Sequence, residues 1–417
     1  MSRLAFGLLL FVGAPALAAQ SAEPPIRHPA VAAALAAMRA DNSWTVDQQI
    51  SLCEIPAPPF KEATRAEEFR RRLAALGLVN ARLDSVGNVI ADRPGRAGGP
   101  RVLISAHLDT VFPEGTDVTV TRTGTRLDGP GIGDDCRGLA VLLQVAKAMA
   151  HAAIVTAGDV IFVGTVGEEG EGNLRGVRHL FEAKSAGAID FFISVDGTGF
   201  NVTTAAVGSH RYRITYEGPG GHSYSAFGMP NPIHALGRAI AKIAEFQVPG
   251  APRTTFSVGV ITGGTSVNAI AFSAGMDVDL RSESQAELDR TDALLQAAVQ
   301  AALEEERARW PASERPLTVK IEDLGKRPAG TQPDSAFIVR AALAAAAALG
   351  VSSRTGASST DANIPISLGV PAITIDGGGR GGGAHSLAEW YDDGDRGWLG
   401  PQWALLIVAM LAGVSSS

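Results

Sequence analysis

Hydrophobic positions along the chain follow two alternating rhythms. From about Val31 to Leu78 the spacing is helical: Phe69, Leu73 and Leu76 recur among Glu67, Glu68, Arg70, Arg71 and Arg72, and Gly77 ends the run. Strand-like stretches follow at Ala81 to Asp84, Asn88 to Ala91 and Val102 to Ala106. An apolar helix is predicted from Gly138 to Ala150, and β-rich runs at Val160 to Val166 and Phe191 to Val195. Strands that alternate with helices in this way predict an α/β layer around a mixed, largely parallel sheet.

The rhythm changes in the middle third. Tyr212 to Glu217 alternates like a half-buried strand, and Pro232 opens a helix with Ile233, Leu236, Ile240 and Ile243 on one face. Strands near Thr255 to Ile261 and Ala274 to Arg281 precede a helix from about Gln285 to Arg309, and Leu317 to Ile321 is a last strand. The order β-α-β-β-α-β is that of a ferredoxin-like α+β unit. It is read as an inserted domain over 207–324, interrupting a main domain of 29–206 and 325–417. An alanine-rich helix, Ser335 to Leu349, resumes that domain, and two loop-and-strand units then bring in Asp361 and His385.

Composition narrows the setting. At 417 residues and 46% hydrophobic, the chain can bury a sizeable core. A formal charge of -7 without a long basic run makes nucleic acid a poor partner. Arg3, the apolar stretch Leu4 to Val12 and Ala16-Leu17-Ala18 read as an export signal over 1–18. The stretch is shorter than the ~20 residues a spanning helix needs. The expectation is an exported protein, periplasmic or secreted, with no membrane span in the mature chain. Two cysteines, Cys53 and Cys136, permit one disulfide, although a small buried side chain is the plainer reading of Cys136.

Chemistry gathers in five short motifs, at strand ends or in glycine-rich loops. His107 and Asp109 close one predicted strand, where residues i and i+2 share a side. Asp134-Asp135 follows GPGIG and precedes a helix, so an Asp there is either a helix cap or a carboxylate bridging two cations. Glu168-Glu169 are adjacent acids that repel unless a cation or proton offsets them. Asp196 ends another strand, and His385 follows a glycine tract. Singly, each motif reads as well as a structural or solvated residue. Together they offer the nitrogen and oxygen ligands that suit two divalent metals.

The stretches SAHLDTV, GIGDDCRGLA, GEEGEG, SVDGTG, GPGGHSYSA, STDANIPISLGVPAI and GGGAHS occur in an order that resembles the dinuclear zinc exopeptidases. That family includes peptidase T, acetylornithine deacetylase and the glutamate carboxypeptidases, and the nearest likeness is to peptidase T. The resemblance implies that His107 and Asp196 hold one zinc, Glu169 and His385 the other, and that Asp134 bridges them. Cobalt or manganese would fit the same ligands. It further implies Asp109 as the group orienting the first site and Glu168 as general base. His222 would reach a neighbouring subunit's site, and the inserted domain would form a homodimer. Asn268 and Arg281 would contact substrate. Many relatives carry lysine where this chain has Cys136, and Arg137 is the candidate replacement for that charge. The implied function is hydrolysis of short peptides by an exopeptidase. The alternatives are an N-acyl amino acid deacylase of the same family and a non-catalytic peptide- or metal-binding protein.

Overall fold

The computed structural model describes residues 23–415, apart from 97, 312 and 314. The export-signal reading of 1–18 lies outside the described residues. In the large sheet the strands run, from one edge, Val79–Leu83, Val89–Arg93, Val160–Thr165, Val102–His107, Phe191–Val195, Ala372–Ile375, Val202–Ala206 and Gly330–Thr331, with Thr355–Ser358 also paired to Val202–Ala206. The central four are mutually parallel, and antiparallel neighbours flank them. Their side chains are buried on both faces, which is why they read as unbroken apolar runs rather than alternating ones. Val102, Ile104, Val160 and Phe162 face the core shared with the helices Pro29–Ala40, Ala63–Ala75, Cys136–His151, Phe337–Ala348 and Leu399–Ala412. Leu103, Ile161, Val163 and Phe192 face a second layer with Val177, Leu180, Ile364 and Ile366. Each such fully buried Val, Leu, Ile or Phe contributes about 1.5–3 kcal/mol.

A four-stranded antiparallel sheet, in the order Thr254–Gly263, Ser273–Ser282, Gly208–Glu217 and Thr318–Arg327, forms the second unit. The helices Pro232–Ala244 and Gln285–Arg309 cover one face, and their core is separate from that of the large sheet. The element order is the predicted β-α-β-β-α-β. A further small sheet was not expected. Its strands Thr121–Thr123, Arg126–Asp128, Trp390–Asp392 and Arg380–Gly382 brace the loop that carries His385.

Cys53 and Cys136 form a disulfide, with Cα atoms 5.4 Å apart. This corrects the reading of Cys136 as a lone buried thiol: the helix Asn42–Cys53 packs beside Cys136–His151 and brings the two sulfurs together. Arg137 also departs from expectation. It is fully buried, donating to the carbonyls of Gly377 and Gly397 at 2.8 Å each and stacking over Tyr391, so it ties loops together rather than supplying a charge to the site.

Candidate metal centre

Ligands in an open α/β sheet collect beyond the carboxyl ends of its parallel strands. Here His107 is the last residue of its strand and 2% exposed. Its ring Nδ1 lies 3.0 Å from the Asp109 carbonyl oxygen, which directs Nε2 to Asp134 Oδ1 at 2.8 Å. The loop bearing Asp134 is cradled by Glu389, whose carboxylate accepts from the N–H groups of Gly131, Gly133 and Asp134 at 2.8, 2.8 and 2.9 Å. The Asp134–Asp135 peptide is cis. The two aspartates divide the roles the sequence left open. Asp135 turns inward, capping Cys136–His151 through Gly138 N–H and accepting the His107 N–H at 3.0 Å. Asp134 faces the cavity. Only glycine fits at 138, because a Cβ there would lie 2.3 Å from Asp135 Oδ1 and 2.4 Å from the Val195 carbonyl.

Asp109 is fully buried and accepts the backbone N–H groups of Glu168 and Glu169 at 3.1 and 2.8 Å, so one carboxylate sets the turn that aims both glutamates. His385, in the left-handed region at φ 64°, brings Nε2 to 2.8 Å from Glu169 Oε1 and 3.2 Å from Asp134 Oδ2. Ligand atoms of His107, Asp134 and Glu169 all lie within 4.8 Å of one another. Asp134, Glu168, Glu169, Asp196 and His385 line one cavity of about 1050 Å³ between the two sheets.

The electrostatics are those of a site built for cations. Burial pushes the Asp196 carboxyl well above its ordinary range, and the Asp134 charge adds to the shift. Burial also lifts Glu168 to about 8, with Arg327 opposing and Glu169 reinforcing. Burial disfavours a charged His107, yet its bond to Asp134 and the charges of Asp135, Asp134 and Asp196 outweigh this and raise its pKa. Bonds to Asp134 and Glu169 raise His385 to about 10. Carboxylates this desolvated, converging on two imidazoles, have the chemistry of a divalent-cation site.

The other predicted residues are dispersed. Arg281 lines the cavity from the wall of the inserted unit, where Asp279 holds it at 2.8 Å. His222 and Asn268 are exposed on the short strand pair Gly221–His222 and Ala269–Ile270 and its turn, outside the cavity of their own chain. Sequence reasoning missed three groups. Arg327 donates to Glu168 Oε1 at 3.0 Å and to the Glu168 carbonyl. Glu389 builds the Asp134 loop, and Asp376 lines the cavity next to Asp196. No local pattern marks the first two, but Asp376 ends an apolar run just as Asp196 does.

Comparison with known proteins places the chain in a family. Residues 103–397 match the profile of Peptidase family M20/M25/M40. A succinyl-diaminopimelate desuccinylase of Corynebacterium glutamicum is 26% identical over 197 residues, a match covering 47% of this chain and 53% of that protein, so the chain spans about half the length of this curated relative. A tripeptidase structure from Staphylococcus aureus superposes with TM-score 0.74 at 21% identity, covering 88% of this chain and 98% of that one. A dinuclear metal-binding peptidase of Bacillus subtilis superposes with TM-score 0.64 at 19% identity, covering 89% and 99%. At these identities the two structures establish the fold. The profile match covers well over half the chain, and the protein therefore belongs to Peptidase family M20/M25/M40, a family of hydrolases acting on peptide and amide bonds.

Proposed function

We propose that the protein is an exported, zinc-dependent exopeptidase that hydrolyses the amide bond of short peptides. One observation carries the reading: Asp134, Glu169, Asp196 and His385 line the same cavity as a buried glutamate, Glu168, and His107 Nε2 meets Asp134 at its edge. His107 and Asp196 would hold one cation, Glu169 and His385 the other, and Asp134 both. Such cations supply Lewis acidity to a water and to the scissile carbonyl. Glu168 accepts the proton of the attacking water and returns it to the leaving amine. A carboxyl lifted to about 8 in the cation-free chain suits a group that must both take and give a proton near neutrality.

His222 would act on the site of a second copy of the chain. Its Nδ1 accepts N–H groups of Tyr224 and Ser225 at 3.3 and 3.4 Å, which leaves Nε2–H free to donate to an oxyanion. Tyr224, Phe227, Val267 and Phe272 are exposed around it, an apolar surface that supports a homodimer through the inserted unit. Asn268, on the same turn, would contact substrate in the same way. The Cys53–Cys136 disulfide supports residence in an oxidising compartment. Among the described residues no helix is long and apolar enough to cross a membrane.

A second reading, deacylation of N-acyl amino acids, is favoured by the likeness to a desuccinylase. Amino-acid release from di- and tripeptides and from N-acyl amino acids, with zinc and with a chelator, separates the two. Chelator-sensitive release from peptides is expected. Release from N-acyl amino acids alone would replace the first reading with the second.

A further inference from the structure

Four parallel strands end at the floor of the cavity. Val160–Thr165 and Phe191–Val195 lead to Glu168 with Glu169 and to Asp196 on its lining, and Val102–His107 ends at His107, which reaches the lining residue Asp134. The fourth, Ala372–Ile375, runs directly into Asp376, for which the reaction above has no use. Ile375 is paired with Val195, so Asp376 and Asp196 stand one residue beyond equivalent positions on neighbouring strands. Such strands lie about 4.8 Å apart. Asp196 N–H donates to the Ile375 carbonyl at 3.0 Å, which fixes that register.

The surroundings of Asp376 are specific. Oδ2 accepts both the backbone N–H and the side-chain amide of Asn201, each at 2.8 Å. Oδ1 has no hydrogen-bond partner among the described residues. Glycines keep the approach open: a Cβ at Gly199 would come within 2.8 Å of Oδ2, and one at Gly197 within 3.8 Å of Oδ1. Most other acids on the cavity wall have counter-charges. Glu168 has Arg327, Asp277 has Arg213, and Asp279 has Arg211 and Arg281. Asp134 and Glu169 meet His385, and Asp196, which also lacks an ion pair among the described residues, is one of the proposed metal ligands. Asp376 has no cation within ion-pair distance among the described residues. Burial raises its pKa to about 6, with only the Asn201 bonds opposing, so it is mostly ionised above neutrality. A fixed carboxylate with one free oxygen, desolvated and unpaired, is matched by an ammonium group.

We propose that Asp376 is a specificity-determining residue that takes the ammonium group of the substrate's first residue, which makes the enzyme an aminopeptidase for unblocked peptides. This rests on the amide-hydrolase reading of the same site. Asp376 lies on the main-domain side of the cavity, and Arg211 and Arg281 line it from the inserted unit. A short peptide therefore meets opposite charges at its two ends.

The test compares kcat/KM of the metal-loaded full chain and of Asp376→Asn on Ala-Gly-Gly, N-acetyl-Ala-Gly-Gly, N-acetyl-Lys-Gly-Gly and N-acetyl-alanine. Asparagine keeps an oxygen for Asn201, and bound metal and melting temperature verify the fold. The wild type is expected to favour Ala-Gly-Gly over its acetylated form by at least ~100-fold, and Asp376→Asn to cut that ratio at least ~30-fold, mostly through KM. Rapid cleavage of N-acetyl-Lys-Gly-Gly that depends on Asp376 would overturn the α-ammonium assignment in favour of a side-chain ammonium. A preference for acetylated substrates, or a variant that keeps the wild-type ratio, overturns the role of Asp376 and leaves the hydrolase standing. Turnover of none of the four removes both.

Discussion

Arg327, the last residue of the inserted sheet, grips Glu168, in the loop after the main-sheet strand Val160–Thr165, through the glutamate's side chain and carbonyl at once. The same guanidinium reaches Ser359 at 3.1 Å. The position of the inserted unit and the orientation of the proposed base are thus joined by one buried side chain, 5% exposed.

Arg327 holds the Glu168 carboxyl below where burial alone would set it. Its removal raises that pKa further. In Arg327→Ala the acid limb of the pH–kcat/KM profile is expected to move to higher pH, and kcat to fall about 10- to 100-fold, with bound metal retained. An unmoved acid limb in a folded, metal-loaded variant contradicts the positioning role.

Asp109 acts one step back from the proposed ligands. Asp109→Asn keeps the size but cannot accept both the Glu168 and Glu169 N–H groups. Disturbing partners at that remove costs about 10- to 100-fold in metal affinity or activity. Titration of the chelated variant with zinc is expected to give a loss in that range, and wild-type affinity would be the contrary result.

The cation-free chain should be pH-sensitive in a defined direction. His385, near 10, and Glu168, near 8, both hold protons at pH 7 that the unfolded chain binds less tightly. Raised pKa values favour the folded state at low pH, and this advantage fades for Glu168 between about 4.5 and 8 and for His385 between about 6.5 and 10. Chelated protein is expected to melt at progressively lower temperature from pH 5 to 9. Cation affinity should rise over the same interval, because binding displaces those protons. Melting curves and calorimetry in buffers of different ionisation enthalpy check both. A melting temperature that rises with pH contradicts the assignment.

The disulfide closes a segment between residues 83 apart and ends beside Asp135. Closing a loop of that length stabilises by roughly 2–5 kcal/mol. A Cys53→Ala, Cys136→Ala double variant is expected to melt at a clearly lower temperature, since it loses the cross-link between the helices Asn42–Cys53 and Cys136–His151. Identical melting with and without reductant would show that the bridge carries no such load.

Much of this arrangement is legible in the amino-acid sequence. The parallel strands are buried on both faces, so their ends, at His107, Glu168 and Asp196, stand out where apolar runs stop. The β-α-β-β-α-β order exposes the inserted unit because its helices and strands are long enough to show their periods. The small sheet is invisible there, since strands of three residues such as Arg126–Asp128 and Trp390–Asp392 have no period to read. Arg327 lies 159 residues from Glu168, and Glu389 lies 255 from Asp134, so only the fold brings each pair together. Arg137 resembles a replacement charge because it neighbours Cys136, but the helix turns it into the core, towards Gly377 and Gly397.

The central claim is that a cation site and a separate glutamate base share one cavity. Bound metal and tripeptide turnover, measured together on the wild type and Glu168→Ala, test it most directly. The account predicts two cations per chain in both proteins, chelator-sensitive release by the wild type, and a loss of at least ~100-fold in Glu168→Ala. Loss of both cations in Glu168→Ala, or near-normal turnover by it, would contradict the claim.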